Sequence, residues 1–321
     1  MKNRPSVTMI VPIHNSSSTL EPVFKSIEKQ DYPISEVWLL DNNSNDNSYE
    51  MMQNYAKKSR FKIKVIRHTK DQGLSYSYNE AISAAKTDCV VTLQSDCVIR
   101  DKNGVSRLIK PFVEDESMIA TCARQITPWN VWEKYGFWQK AYFSRHVGRV
   151  ASGRNGRFCC FLTKALKDAG LFDVKTFRTA GEDGDMFFKL EQMGKVIDVE
   201  TIADHLHDTS NNFKLKNYIY KENQLAEGGG ACFGKNFGKI SARKYLTPLL
   251  RPVLLLGLLI PKANIVFAAL IFIYSFWFTK EVIIHEWKNP RILILPFINI
   301  YLLFSFTFFF FKGFITKRQQ L

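Results

Sequence analysis

The six cysteines, at positions 89, 97, 122, 159, 160 and 232, include no Cys-x-x-Cys pair. A disulfide framework and a structural zinc site both lack the spacing they need, so the cysteines read as small buried core residues of a protein kept in a reducing compartment. No Gly-x-x-x-x-Gly-Lys-Ser/Thr loop occurs, and no Gly-x-Gly-x-x-Gly follows the first strand-like run. The two commonest glycine cradles for phosphate are therefore missing. The first six residues carry no cleavage-site pattern and lead into a run too short for a signal sequence, which predicts a cytoplasmic location for the first two thirds. Acid is scarce in the last third: residues 211–321 carry 15 basic and 4 acidic residues, the first 210 carry 29 and 26, and the net charge is +14. Because the basic excess lies beside the most apolar sequence, it predicts a membrane surface as partner and argues against nucleic acid. Charge is absent altogether from residues 292–311.

What is present excludes a disordered chain, since 46% hydrophobic and 14% aromatic residues suffice for a core. Up to about residue 100, strand-like runs (7–13, 37–41, 61–67, 89–93) alternate with helix-like stretches (18–30, 49–58, 75–86). Continuous apolar strands separated by helices predict a parallel α/β sheet covered on both faces. Ligands of such sheets bind beyond the carboxyl ends of the strands, where the polar clusters Pro12-Ile-His-Asn15, Asp41-Asn-Asn-Ser-Asn-Asp46 and Gln94-Ser-Asp96 fall. Further on, residues 128–150 hold seven aromatic rings, which fit either a packed amphipathic helix or an aromatic wall for a sugar or lipid. Gly181-Glu-Asp-Gly-Asp185 then precedes a helical pattern with Met186, Phe187, Leu190 and Met193 on one face. Acids in a first helical turn also suit the helix dipole.

An enzyme handling a nucleoside diphosphate needs groups for base and ribose and a counter-charge for the phosphates. Asp41 and Asp46, after the second strand, can accept hydrogen bonds from base and ribose. Asp96, after the fourth, can hold a divalent cation against the diphosphate, because such ions use one or two protein carboxylates and take other ligands from phosphate and water.

The order of motifs resembles that of the family 2 glycosyltransferases over roughly residues 6–210. The resemblance rests on Val11-Pro-Ile-His-Asn15, Leu40-Asp-Asn-Asn-Ser-Asn-Asp-Asn-Ser48, Gly73-Leu-Ser-Tyr-Ser-Tyr-Asn-Glu-Ala-Ile82, Leu93-Gln-Ser-Asp96, Gly170-Leu-Phe-Asp173 and Gly181-Glu-Asp183. It implies an α/β GT-A domain, a nucleotide-sugar donor, Mg or Mn, and metal-dependent transfer, hexosyltransferase-like, with inversion at the anomeric carbon. Carried over, Pro12, Asn15, Asp41, Ser44, Asp46 and Gly73 would line the nucleotide pocket, and Asp96 would ligate the metal with either His205 or His207. Asp183 would be the catalytic base with Glu182 beside it, and Trp129, Trp132 and Arg157 would meet the acceptor. Two positions depart from the family pattern: Gln94 stands where an acid is usual, and Tyr78 where an Arg is common.

Residues 292–311 are long enough to span a ~30 Å hydrocarbon core at ~1.5 Å per residue. Pro261-Lys262 interrupts the earlier apolar region, leaving a second candidate span at 263–279, with one kinked span as the alternative. The expected organisation is a catalytic domain at 1–210, basic interfacial helices at 211–250 (Lys235, Lys239, Arg243 and Lys244 among the charges, with Gly228 to Gly230 bending them), and a membrane region at 251–321 whose two ends are cytoplasmic. A Glu-Asp pair suits a hydroxyl acceptor, which needs a base, so the expectation is sugar transfer to a lipid-linked, polyprenyl-carried acceptor at the cytoplasmic membrane face. The alternatives are synthesis of a lipid-monophosphate sugar and a catalytically inactive membrane partner of another transferase.

Overall fold

The computed structural model describes residues 4–177, 180–207, 212–239 and 242–321. The side chains of 242–245 and 247 lie outside the described residues, and with them the charges of Arg243 and Lys244. So does the boundary expected at 210–211. Eight strands form one sheet: β1 (Val7–Ile13), β2 (Glu36–Asp41), β3 (Ile63–Arg67), β4 (Cys89–Leu93), β5 (Cys97–Ile99), β6 (Met118–Ile126), β7 (Phe158–Leu162) and β8 (Lys195–His205). The helices are α1 (Ser17–Glu28), α2 (Ser48–Lys58), α3 (Leu74–Ala84), α4 (Gly104–Glu114), α5 (Trp129–Trp132), α6 (Phe137–Phe143), α7 (Thr163–Asp168), α8 (Glu182–Glu191), α9 (Leu215–Lys235), α10 (Ala242–Gly257), α11 (Asn264–Trp277), α12 (Lys280–His285) and α13 (Leu295–Thr316).

The chain divides into two compact units, one within residues 1–128, 148–174 and 182–208, the other within 129–147, 175–181 and 209–321. The division is not linear: the aromatic stretch after Pro128 belongs with the second unit.

In the first unit the strand order is β3-β2-β1-β4-β7-β6-β8-β5. β3, β2, β1 and β4 run parallel, as the alternation of strands and helices predicts. β1 is buried along its whole length. Its Val7, Met9, Val11 and Ile13 enter one core cluster, under α1 and α4, while Ile10 enters the other with Tyr78, Ile82 and Leu190. This two-residue alternation, apolar on both faces, marks a strand covered on both sides. Met186 and Phe187 of α8 join the second cluster, but Met193, expected on the same face, lies beyond the helix and is exposed. Order reverses between β1 and β4, and their carboxyl ends open a crevice at that switch point. Ser16 and Ser95 close its floor through a 2.8 Å hydroxyl–hydroxyl hydrogen bond.

In the second unit, residues 128–150 do not form one helix; α5 and α6 are separate short helices whose rings pack with Tyr218, Phe278 and Leu302. The bend expected at Gly228 to Gly230 is also absent, and α9 runs unbroken for 21 residues. Gly230 and Gly234, with Gly313 opposite, serve the close packing of α9 on α13. A Cβ at Gly230 would stand 2.0 Å from the Phe310 carbonyl oxygen, one at Gly234 2.1 Å from that of Phe314, and one at Gly313 2.1 Å from that of Glu227. Small residues spaced four apart let two helix backbones touch. Glu227 and Lys312 pair across the same seam at 2.7 Å. Among the described residues one helix, Pro290–Thr316 with its 3-10 entry, is long and apolar enough to cross a membrane: it has 27 residues, and its most apolar 18-residue stretch has a mean hydropathy of 2.2. The second span expected at 263–279 is shorter in the structure: α11 has 14 residues, about 21 Å at ~1.5 Å each, less than the ~30 Å core. Of the two helices expected to cross, Pro290–Thr316 alone among the described residues has the length of a span.

Candidate active site

The β2–α2 loop is built by its own acids. Asp41 Oδ1 accepts the Ser44 backbone N–H at 3.0 Å, and Arg67 Nε lies 3.2 Å from Oδ2. The Asp41 side chain is completely buried, and through Oδ1 it braces this loop. Ser44 Oγ in turn accepts the N–H of Asn15, which sits at φ 48° just past β1, and Asn15 Oδ1 accepts the Asn45 N–H at 2.8 Å. Asp46 accepts backbone N–H groups from Ser17 and Ser48 at 3.0 Å each. Burial alone would raise its carboxyl, but those donors and the two serine hydroxyls pull it down to about 2. Pro12 is buried within β1. Gly73, at φ 87°, caps α3 and donates to Asp71 at 2.9 Å. The expected nucleotide residues thus form one hydrogen-bonded shelf, with His14, Asn15 and Asn45 as its exposed polar edge.

Asp96 follows β4, and the pairing of β5 with β8 sets Cys97 opposite His205. His205 Nε2 lies 3.2 Å and His207 Nδ1 3.7 Å from Asp96 Oδ2. Both histidines lie beside the carboxylate, and His205 is the one whose ligand atom falls within 4.8 Å of those of Asp96 and Cys97. Burial pushes the Asp96 carboxyl up, but His205, His207 and Arg157 outweigh it and leave it well below the usual carboxylate range. Burial, then the charge of Arg157, lowers the His205 imidazole against the pull of Asp96. One carboxylate and two imidazoles, of which His205 is shifted toward its neutral form, are donors of the kind a divalent ion takes. Cys97 Sγ is also adjacent, 3.6 Å from Asp96 Oδ1, but burial holds its thiol well above the ordinary range and so disfavours the thiolate a metal needs. Gln94 supplies no charge; its N–H donates to the Arg157 carbonyl at 2.8 Å.

Glu182 and Asp183 open α8. Burial, then the charge of Asp183, pushes the Glu182 carboxyl up to about 8, and its Oε2 is buried with no hydrogen-bond partner. Burial raises Asp183 as well, against the Gly184 N–H and Arg157. The loop before β7 connects this pair to the metal-type cluster. The Thr92 hydroxyl of β4 donates to the Gly156 carbonyl at 2.8 Å, and buried Tyr78, where an Arg was common, approaches the same oxygen at 3.5 Å. Gly156, at φ 70°, has its Cβ position 4.0 Å from the Asp183 Cβ. Arg157 follows directly, donates to Gln125, and acts electrostatically on Asp96, His205 and Asp183. Arg157, expected to meet the acceptor, stands among these charged groups, and Gly156, Thr92 and Gln125, which no sequence motif singles out, hold its loop.

Trp129 and Trp132 lie in the second unit, packed edge to face at 5.5 Å and both against His285. Trp132 is buried and donates its indole N–H to the Lys140 carbonyl, so of the two only Trp129 shows an open ring.

Residues 8–170, just over half of the chain, match the description of the glycosyl transferase family 2. The chain belongs to this family. It is 28% identical over 148 residues to a dolichol-phosphate mannosyltransferase of Pyrococcus furiosus, covering 45% of this chain and 41% of that protein. It is 23% identical over 177 residues to a poly-beta-1,6-N-acetyl-D-glucosamine synthase of Staphylococcus epidermidis, covering 52% and 42%. The chain thus spans about two fifths of the length of these curated relatives. Among solved structures it is similar to a mannosyltransferase of Pyrobaculum calidifontis in complex with GDP-Man and Mn2+, at TM-score 0.62 and 17% identity over 99% of this chain and 89% of that one. It is also similar to GalNAc-T7 with UDP, GalNAc and Mn2+, at 0.52 and 17% over 73% and 51%. At these identities the likeness establishes the fold, which is the expected GT-A type with an eight-stranded mixed sheet.

Proposed function

We propose that this protein is a membrane-anchored inverting glycosyltransferase that moves a sugar from a nucleotide-sugar donor to a hydroxyl of a lipid-linked acceptor at the cytoplasmic membrane face. The observation that carries the reading is the pairing, within one unit, of a carboxylate–bis-imidazole cluster with an acid pair, Glu182 buried and Asp183 half-buried, whose carboxyl groups are both raised. Asp183 takes the proton of the attacking hydroxyl. A base whose affinity for protons is lifted toward neutrality does this better than an ordinary aspartate. Glu182, protonated at neutral pH, leaves the negative charge of the pair on Asp183 and removes the repulsion two carboxylates would suffer. Arg157 stands among these acids and balances the charge that Asp96 and Asp183 concentrate. The β1 and β2 loops offer their polar edge to the nucleoside. Asp96, His205 and His207 would hold a divalent ion, whose chemistry is to stabilise the charge growing on the leaving diphosphate. Two imidazole nitrogens favour Mn over Mg, which prefers oxygen. The Mn2+ and nucleotide sugars of the structural relatives and the dolichol-phosphate relative are in keeping with this reading. The apolar Pro290–Thr316 helix and the basic excess around it support the membrane anchor.

The test is donor turnover by the detergent-solubilised protein with UDP-, GDP- and dTDP-sugars, with and without Mn or Mg, beside Asp96→Asn. The expected result is metal-dependent release of one nucleoside diphosphate, lost in the variant. Absence of both turnover and metal-dependent nucleotide binding overturns the proposal.

A further inference from the structure

Two features of the helical unit hold Thr176, Phe177, Ala180 and Gly181, just ahead of the Glu182-Asp183 pair. The first is Gln319. Past α13 the chain turns at Lys317, with φ 52°, and Gln319 is buried. Its backbone N–H donates to the Thr176 carbonyl at 2.9 Å, and its side-chain Oε1 accepts the Ala180 N–H at 3.1 Å. Its Nε2 donates to the Gln224 carbonyl of α9 at 3.4 Å. Glu227 of α9 keeps the next two residues in place by accepting the N–H groups of Gln320 and Leu321 at 3.0 and 2.7 Å. The second feature is Gly228, also on α9. A Cβ there would stand 2.3 Å from the Ala180 carbonyl oxygen, and one at Gly181 2.5 Å from that of Gly228, so the two backbones touch. Phe177 is buried with Ala231 and Cys232 of the same helix.

We infer that Gln319 and Gly228 are positioning residues of the transfer reaction. They fix Ala180 and Gly181, and the peptide bond from Gly181 to Glu182 passes that position to the first turn of α8, where Asp183 acts as base. The side chains of the pair give this turn little anchorage of their own: Glu182 Oε2 has no hydrogen-bond partner, and Asp183 Oδ1 accepts the N–H of the adjacent Gly184 at 2.7 Å. A reacting group displaced by about 1 Å can forfeit about 100-fold in rate, so a base on such a turn needs a support outside it. This inference rests on the proposed function and deepens it by naming what sets the base.

The test is hydrogen exchange of the full-length protein in detergent, read on the amides of residues 180–186, beside Gln319→Met, which keeps the bulk of the side chain and removes its amide. Exchange there should quicken at least about fivefold, while peptides of β1 and α2 stay within about twofold. Release of nucleoside diphosphate from UDP-, GDP- and dTDP-sugars with Mn should fall about tenfold, with nucleotide affinity held within about twofold. In an Asp183→Asn background the same substitution should cost less than about twofold, because a residue that acts through Asp183 then has nothing to position. Gly228→Ala should reproduce the local exchange; Gly229→Ala, whose Cβ meets nothing within 4 Å, should not. Wild-type exchange or turnover in Gln319→Met, faster exchange spread evenly over β1 and α2, or a full tenfold loss in the Asp183→Asn background would each overturn the inference and leave the transferase reading standing. A wild type that neither turns over donor nor binds nucleotide with Mn overturns the transferase reading, and localised exchange in Gln319→Met would then make Gln319 a structural anchor of α8 with no part in transfer.

Discussion

The two units bury carboxylates on opposite terms. In the helical unit Glu227 faces Lys312 at 2.7 Å and Glu222 faces Arg145, each acid answered by a cation from another helix or segment. In the sheet unit Glu182 is as deeply buried, has an acid for a neighbour, and leaves one oxygen without a partner. A paired charge costs little more than its desolvation and fixes the position of a helix; an unpaired one stores free energy that chemistry can use. The contrast separates acids that fix structure from acids that do chemistry better than depth of burial does.

The largest break in that comparison is Asp183→Asn. Removal of the base should lower sugar transfer by about 10²–10⁴-fold, the usual worth of a positioned general base. Nucleotide affinity in the presence of Mn, read by calorimetry, should stay within about twofold, because the interaction lost belongs to the transition state. A parallel loss of affinity would make Asp183 a donor-site residue instead.

The helical unit breaks at its seam. Gly230→Ala places a Cβ 2.0 Å from the Phe310 carbonyl, so α9 and α13 must part, at a cost of about 1–3 kcal/mol. Gly229 is next in the chain, yet a Cβ there meets nothing within 4 Å. Gly229→Ala should therefore stabilise the helix by up to about 1 kcal/mol. Thermal unfolding in detergent should move in opposite directions for the two variants, and movement in the same direction would remove the role of the seam.

The same pair of glycines shows where the sequence was legible. Strands β1, β2 and β4 announced themselves because a strand buried on both faces must be apolar throughout, and the acids at their ends stood out against those runs. Asp96 and the Glu182-Asp183 pair were visible for that reason. Gly228 to Gly230 suggested a bend because helix propensity is a local property, whereas the use of Gly230 depends on the backbone of α13 some eighty residues away. Arg157 was readable as a charge but not as the cation among Asp96, His205 and Asp183, since β7 reaches that place only by pairing antiparallel with β4. Trp132 read either as a packed ring or as part of an acceptor wall, and the structure buries it with its indole N–H on the Lys140 carbonyl.

The smallest effect sharpens the comparison most, because its sign is fixed by the unpaired acid. The Glu182 carboxyl is raised from 4.5 to about 8 by burial first and by Asp183 second. Below pH 4.5 it is protonated in both folded and unfolded chains, so Glu182→Gln should leave stability unchanged there. As pH rises the unfolded chain ionises freely while the folded one resists, and the wild type loses stability progressively until about pH 8. The variant escapes that loss. Its melting temperature should exceed that of the wild type by a margin that opens between pH 4.5 and 8 and then levels off, corresponding to about 1–3 kcal/mol for one unsatisfied buried group. A margin independent of pH would mean that packing, not the unpaired charge, distinguishes the two side chains. A Glu227→Gln control should move the other way at neutral pH, since it abandons Lys312 and the backbone N–H groups of Gln320 and Leu321.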